Sequence, residues 1–273
     1  MGHILQVPAE SARIVCMDTL IMDQGLEIPA QPIDPEIEEM SKAGVHLGHA
    51  KSKFHPSMAP YIFGVRNYVS LIDLMKTKEK LDLAREFIRA VATKKGIILL
   101  VGTRPAAKKI IREMGEKTGM PYFSERWIGG TLTNYKVVSK RVEYLERLVE
   151  ERKTGEFEKY TKKERMKKGE EIERLTKFFG GVRSLKRMPD AVFVVDITHD
   201  LIAVNEARKM KIPVIAFVDT NSNADLVTWA IPANDDALPS VRYMCGRVLA
   251  AIEEGASEAR ATKDPESINQ KAT

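Results

Sequence analysis

Apolar residues recur along this chain in two rhythms, short unbroken runs and helical stripes, and the two alternate. Residues 97–102 (IILLVG), 191–196 (AVFVVD) and 213–219 (PVIAFVD) are continuous runs rich in Val, Ile and Leu. Each is strand-length and closes on Gly or Asp, so each predicts a strand buried on both faces. Between them lie stripes of helical period. Residues 76–94 carry Leu81, Ala84, Phe87, Ile88 and Val91 on one helical face. Residues 105–118 predict a helix with Pro105 in its first turn, and 202–210 and 238–253 predict two more. Shorter pieces complete the pattern. They are a helix at 37–42 that stops at Gly44, a hairpin or two strands at 61–65 and 68–72, and short strands at 120–123 and 228–231. This alternation predicts a parallel sheet with helices on both sides, an α/β/α sandwich.

Residues 131–187 break the alternation with two long charged helices, 134–152 and 161–179. In the first, Val138, Val142, Leu145 and Val149 are spaced 4, 3 and 4, a heptad seam. The second opens on Thr161 and Glu164, a capping box, and carries Ile172, Leu175 and Phe179. One narrow apolar seam ringed by charge predicts an antiparallel helical hairpin that projects from the sheet domain. Four parts are expected. Residues 1–35 form an extension, largely unstructured, with one short strand near 13–17. Residues 36–130 and 188–255 form the sandwich domain, 131–187 the protruding hairpin, and 256–273 a polar, disordered tail.

Charge changes the picture more than composition does. The formal net charge is only +5, but residues 41–187 hold 34 basic side chains against 17 acidic ones, a net +17 between acidic ends. Such a concentration points to a polyphosphate partner, because every neutralised phosphate releases a condensed counterion. The plain alternative is a solvated basic face. Hydrophobic residues at 44% suffice for a core. No apolar run approaches the roughly 18 residues a membrane span needs, and the first residues lack the basic start of a secretory signal. Cys16 and Cys245 build neither a disulfide framework nor a ligand cluster, so a reducing cytoplasm is expected.

Several residue groups carry candidate chemistry. Gly102-Thr103-Arg104-Pro105 sits between a strand and a helix with Lys108 and Lys109 in its first turns, suited to an anion, while a full nucleotide-binding glycine loop is absent. His46, His49 and His55 lie close in sequence; they suit either a metal or packing and phosphate contacts beside Lys51 and Lys53. Asp196 and Asp219 end predicted parallel strands, where open sheets bind ligands, and His199, Asp200, Asn221, Asn223 and Asp225 follow. These would serve a Mg²⁺-dependent phosphohydrolase or nucleotide-binding enzyme through Asp196, Asp219 and Asp225, or they are ordinary loop-opening aspartates. At residues 124–135 (SERWIGGTLTNY), Arg126, Trp127, Thr131, Thr133 and Asn134 suit RNA backbone and stacking contacts, or a capped helix with a buried Trp.

Seven stretches are also familiar in their order: GVHLGH (44–49), YIFGVRN (61–67), IILLVGT (97–103), RWIGGTLTN (126–134), PDAVFVVD (189–196), IPVIAFVDTN (212–221) and IPANDD (231–236). Together they resemble the bacterial-type small ribosomal subunit protein S2 family over residues 36–255. Leu47 stands where that family usually has an aromatic. The resemblance implies a flavodoxin-like three-layer α/β/α sandwich with an inserted α-helical hairpin, no catalytic activity and no cofactor. It implies a place in the small subunit against 16S rRNA, the hairpin on RNA, beside other small-subunit proteins. It also implies a role in docking the large multi-domain mRNA-binding ribosomal protein, and neither membrane attachment nor a homo-oligomer. RNA-facing residues are then expected in the basic stretch: Lys51, Lys53, Arg66, Arg104, Lys108, Lys109, Arg126, Lys136, Lys140, Arg141, Lys162 and Lys163. Arg66 and Arg126 lie inside the family stretches, and the others follow from charge.

Overall fold

The computed structural model of the chain describes residues 34–261. The strand expected near 13–17 and most of the expected tail lie outside the described residues. The chain runs α1 (Pro35–Lys42), β1 (Leu47–Ala50), β2 (Ile62–Arg66), β3 (Val69–Ile72), α2 (Leu74–Thr93), β4 (Ile98–Val101), α3 (Pro105–Thr118), β5 (Tyr122–Phe123), α4 (Tyr135–Lys153), α5 (Lys162–Phe179), β6 (Ala191–Val194), α6 (Leu201–Lys209), β7 (Val214–Val218), β8 (Trp229–Pro232) and α7 (Leu238–Ala261).

Strands β4 to β8 form one parallel sheet in the order β5–β4–β6–β7–β8. Counted from β4, that is the 2-1-3-4-5 order of flavodoxin-like sandwiches. The continuous apolar runs split by alternation. Ile98, Leu100, Phe193, Val195, Ile215 and Phe217 face a layer made by α1, α2, α3 and α7. Leu99, Val101, Val192, Val194, Val214, Ala216 and Val218 face a layer made by α6 and the helical hairpin. Phe193 and Phe217 meet edge to face, with ring centres 5.2 Å apart.

Three features differ from the sequence reading. Residues 47–50, where the pattern predicts no element, form β1. It joins β3 and β2 in a three-stranded antiparallel sheet. Four residues broken by Gly48 carry no readable period, and the strand exists through its partner. Gly48 is required there: a Cβ would stand 2.4 Å from Thr220 Cγ2 and 2.9 Å from the Ser70 carbonyl oxygen. Helix α7, expected to stop near 253, continues to Ala261, so residues 256–261 are helical rather than tail. The small residues Ala251, Gly255 and Ala259 recur every fourth position and are buried; a Cβ on Gly255 would meet the Arg89 carbonyl oxygen of α2 at 2.6 Å. This close helix packing, with an Arg89–Glu258 ion pair, lies beneath a polar-looking sequence.

The third difference concerns the hairpin seam. Val138, Leu145 and Leu148 are its buried residues on α4, facing Ile172, Leu175 and Phe179 of α5, while Val142 and Val149 are half-buried. The stripe drifts from the heptad positions because a short straight helix keeps 3.6 residues per turn. The seam is continuous with the core under Phe123 and Trp127. Truncating Leu148 to Ala should therefore cost about 2–5 kcal/mol in urea unfolding. Val137→Ala, at a position 53% exposed, should change stability by less than about 0.5 kcal/mol.

Candidate nucleic-acid interface

The cations expected to face RNA occupy distinct settings. Lys136, Lys140 and Arg141 are exposed near the start of α4. Lys162 and Lys163 are exposed at the start of α5, the other end of a hairpin about 28 Å long. The capping box there is formed: Thr161 and Glu164 each bond the other's backbone N–H. At this terminus the unpaired N–H groups make the positive end of the helix dipole, and adding Lys162 and Lys163 works against it unless an anion is near. Lys168 holds the tip, its Nζ 3.6 Å from the Tyr160 ring centre and 3.2 Å from Glu151 Oε2. Lys51 and Lys53 stand exposed on a turn after β1, and Arg66 is exposed at the end of β2.

Around α3 the cations are engaged by carboxylates. Lys108 Nζ lies 3.1 Å from Glu125 Oε2, and Arg112 shares that carboxylate. Lys109 is exposed, 3.9 Å from Glu113. Arg104 belongs to a different assembly altogether. Its Nη1 lies 2.7 Å from Asp196 Oδ2 and 3.1 Å from Asp235 Oδ1, and its Nη2 contacts Asp236. A guanidinium engaged by three acidic side chains does not present itself to a phosphate, so Arg104 leaves the set of expected RNA contacts.

The corner at 124–135 is built around a carboxylate that sequence reasoning missed. Glu206 of α6 is buried and accepts five hydrogen bonds. Its Oε1 takes Trp127 Nε1 at 3.1 Å and Gly130 N at 2.7 Å. Its Oε2 takes Leu132 N at 3.0 Å, with Thr133 N and Thr133 Oγ1 each at 3.1 Å. Trp127 is thereby buried against Phe123, ring centres 4.9 Å apart, and is no stacking surface. Asn134 caps α4 without a side-chain hydrogen bond. Arg126, next to this fixed indole, remains exposed. The readable signal was an acid among the apolar Ala203, Val204 and Ala207 of α6.

At the carboxyl edge of the sheet the three histidines part. His55 Nδ1 accepts from Ser57 N, and the His46 Nδ1 is buried without a partner. His49 lies between two carboxylates, its Nδ1 3.0 Å from Asp219 Oδ2 and its Nε2 3.1 Å from Asp236 Oδ2. The hydrogen bond to Asp219 raises the His49 pKa, despite burial. These three side chains bring ligand atoms within 4.8 Å of one another, a set that suits a divalent cation as well as a protonated imidazole. Nearby, Thr103 Oγ1 donates to Asp200 Oδ1 at 2.7 Å and meets His199 Nδ1 at 2.8 Å. The trio Asp196, Asp219 and Asp225 does not assemble: Asp196 holds Arg104, Asp219 holds His49, and Asp225 is exposed on the short turn Ala224–Leu226. Burial, reinforced by the charges of Asp196 and Asp219, pushes Asp235 up to about 9 against the pull of Arg104.

The fold is thus a flavodoxin-like sandwich whose strand ends are bridged by its own ion pairs, with a charged helical hairpin inserted between β5 and β6. A family model described as ribosomal protein S2 matches residues 40–255. The small ribosomal subunit protein uS2 of Thermus thermophilus is 44% identical over 248 residues, covering 86% of this chain and 97% of that protein. The uS2 of Dehalococcoides mccartyi is 40% identical over 227 residues, covering 83% of this chain and 93% of that one. The chain belongs to the ribosomal protein S2 family: it is a structural component of the small ribosomal subunit, not an enzyme. Among the described residues no helix is long and apolar enough to cross a membrane.

Two measurements check this geometry. Burial alone would raise the Glu206 carboxyl, but the hydrogen bonds from Trp127, Gly130, Thr133 and Leu132 bring it below its ordinary value. A lowered folded-state pKa gives stability that is complete at neutral pH and lost as pH falls below about 4.3. Glu206→Gln places an amide donor against backbone donors. It should lower stability by about 3 kcal/mol at pH 7 and abolish the extra acid sensitivity, read by thermal unfolding across pH 3–7. Asp235 is the opposite case. Its raised pKa disfavours the charged form in the fold, so its contribution falls as pH rises from about 4 towards 9. Asp235→Asn should flatten the decline of melting temperature between pH 6 and 9.

Proposed function

We propose that this protein binds 16S rRNA through its helical hairpin and basic loops, holding the RNA by phosphate neutralisation and shape rather than by base sequence. The observation that carries the reading is Lys162 and Lys163, two exposed cations at the positive end of helix α5. The apolar seam of that helix is already satisfied by α4. Neither packing nor helix stability accounts for cations at that position, whereas a phosphate relieves both the side-chain charges and the dipole. Arg126, Lys136, Lys140 and Arg141 continue the basic surface at the hairpin base. Further cations stand exposed elsewhere, Lys51, Lys53 and Arg66 on the small antiparallel sheet and Lys109 on α3, with Lys108 half-buried beside Glu125. The spacing from base to tip favours a long RNA surface over a small anionic ligand.

The family resemblance also supports docking of other small-subunit proteins, including the large multi-domain mRNA-binding one. Subunits prepared without this chain should lose that protein in sucrose gradients.

Replacing Lys162 and Lys163 by Glu should leave thermal unfolding of the isolated protein unchanged, since both side chains are exposed. It should lower occupancy in purified small subunits about tenfold or more. Each phosphate contact removed should reduce the log–log salt slope of binding by about 0.9. Normal occupancy of the double variant at moderate salt would refute the reading.

A further inference from the structure

The turn joining β2 to β3 is built from Asn67 and Tyr68, with φ of 49° and 63°. Two consecutive positive φ values make the mirror-image turn that matches the twist of a hairpin, and its second position ordinarily belongs to glycine. Here it holds a tyrosine, and the side chain is 86% exposed, more than any other large hydrophobic residue described. Tyr68 thus carries a backbone conformation that L side chains avoid and gains no packing from it. A glycine would serve the hairpin better, so the ring answers to something outside the fold.

Its surroundings point to the chemistry. The Lys51 N–H donates to the Tyr68 carbonyl at 2.9 Å, which sets the turn Lys51–Lys53 against the hairpin tip. Arg66, paired with Val69 across the ladder, lies just before the turn. Lys51, Lys53 and Arg66 are all exposed. An exposed ring among three cations is the pattern that holds an unpaired nucleotide, the ring stacking on the base while the cations take flanking phosphates. A protein partner of ordinary composition has less use for the three charges.

We infer that Tyr68 is a stacking contact for one unpaired base of ribosomal RNA, with Lys51, Lys53 and Arg66 on its phosphates. This rests on the rRNA-binding reading and adds a second mode of contact to it, base stacking beside phosphate neutralisation. Stacking on an aromatic tolerates any base, so the contact fixes an RNA end or bulge in place without reading its sequence.

The test uses the full chain and small subunits prepared without it. Tyr68→Gly should fold with an unchanged or raised melting temperature, because glycine suits the backbone there. It should bind the depleted subunits about 5- to 100-fold more weakly, with the salt slope unchanged. Tyr68→Phe, which keeps the ring, should bind like the unmodified protein. Ultraviolet cross-linking of intact subunits should place a nucleotide on the peptide containing Tyr68. If Tyr68→Gly binds normally while the Lys162 and Lys163 double variant fails, the stacking contact is wrong and the rRNA reading stands. If both bind normally, both fall. A cross-link from Tyr68 to a ribosomal protein would overturn the inference in favour of a protein contact.

Discussion

A single buried carboxylate ties the two halves of this molecule together. Glu206 sits on α6, part of the sandwich, yet all five of its hydrogen bonds come from residues 127–133 at the root of the hairpin. Four backbone or hydroxyl donors and one indole converge on it, so the negative charge is compensated without a cation. The loop it shapes sets where α4 begins, and α4 sets the line of the seam. A hairpin joined only by its two chain crossings would swing about them; one fixed at its root presents its cations at a constant position relative to the sheet. Rigid display matters wherever charges meet a partner, because each loosely held side chain loses entropy when it is fixed.

The opposite arrangement governs the carboxyl edge of the sheet. In open α/β folds that crevice is the usual ligand site. Here four aspartates gather there with one arginine and one histidine to answer them. Arg104, from the β4–α3 turn, reaches carboxylates that follow β6 and β8, while His49, from the small sheet, reaches those that follow β7 and β8. The ion pairs span the strand ends and hold the antiparallel sheet against the parallel one. The polar groups of this edge are engaged with one another across the strand ends.

Much of this architecture was legible along the chain, and the exceptions have physical causes. The central strands announced themselves because burial on both faces demands unbroken apolar runs, and Asp or Gly marked their ends. The capping box at Thr161 was equally plain, since both partners lie within four residues. What stayed hidden was long-range. β1 is four residues specified by its neighbour and by the approach of Gly48 to Thr220. The last turns of α7 are held by small residues that carry no hydrophobic signal. Glu206 stands out only as an acid beside the apolar Ala203, Val204 and Ala207; the loop that closes on it lies more than seventy residues away and gives no local sign. Charge alone likewise could not separate Arg104, consumed by aspartates, from Lys162 and Lys163, which are exposed.

Tyr122 shows what the hairpin does for the sheet itself. The ring of this edge-strand residue is gripped between two glycines: a Cβ on Gly115 of α3 would stand 2.1 Å from it, and one on Gly181, just after α5, 2.3 Å from the Tyr122 carbonyl oxygen. The returning end of the hairpin therefore lies over β5, the outermost strand and only two residues long. A bare strand edge invites another chain to add itself there. By folding over that edge the insertion leaves no open strand there for another chain to pair with, so the element that looks like an appendage also closes the sheet.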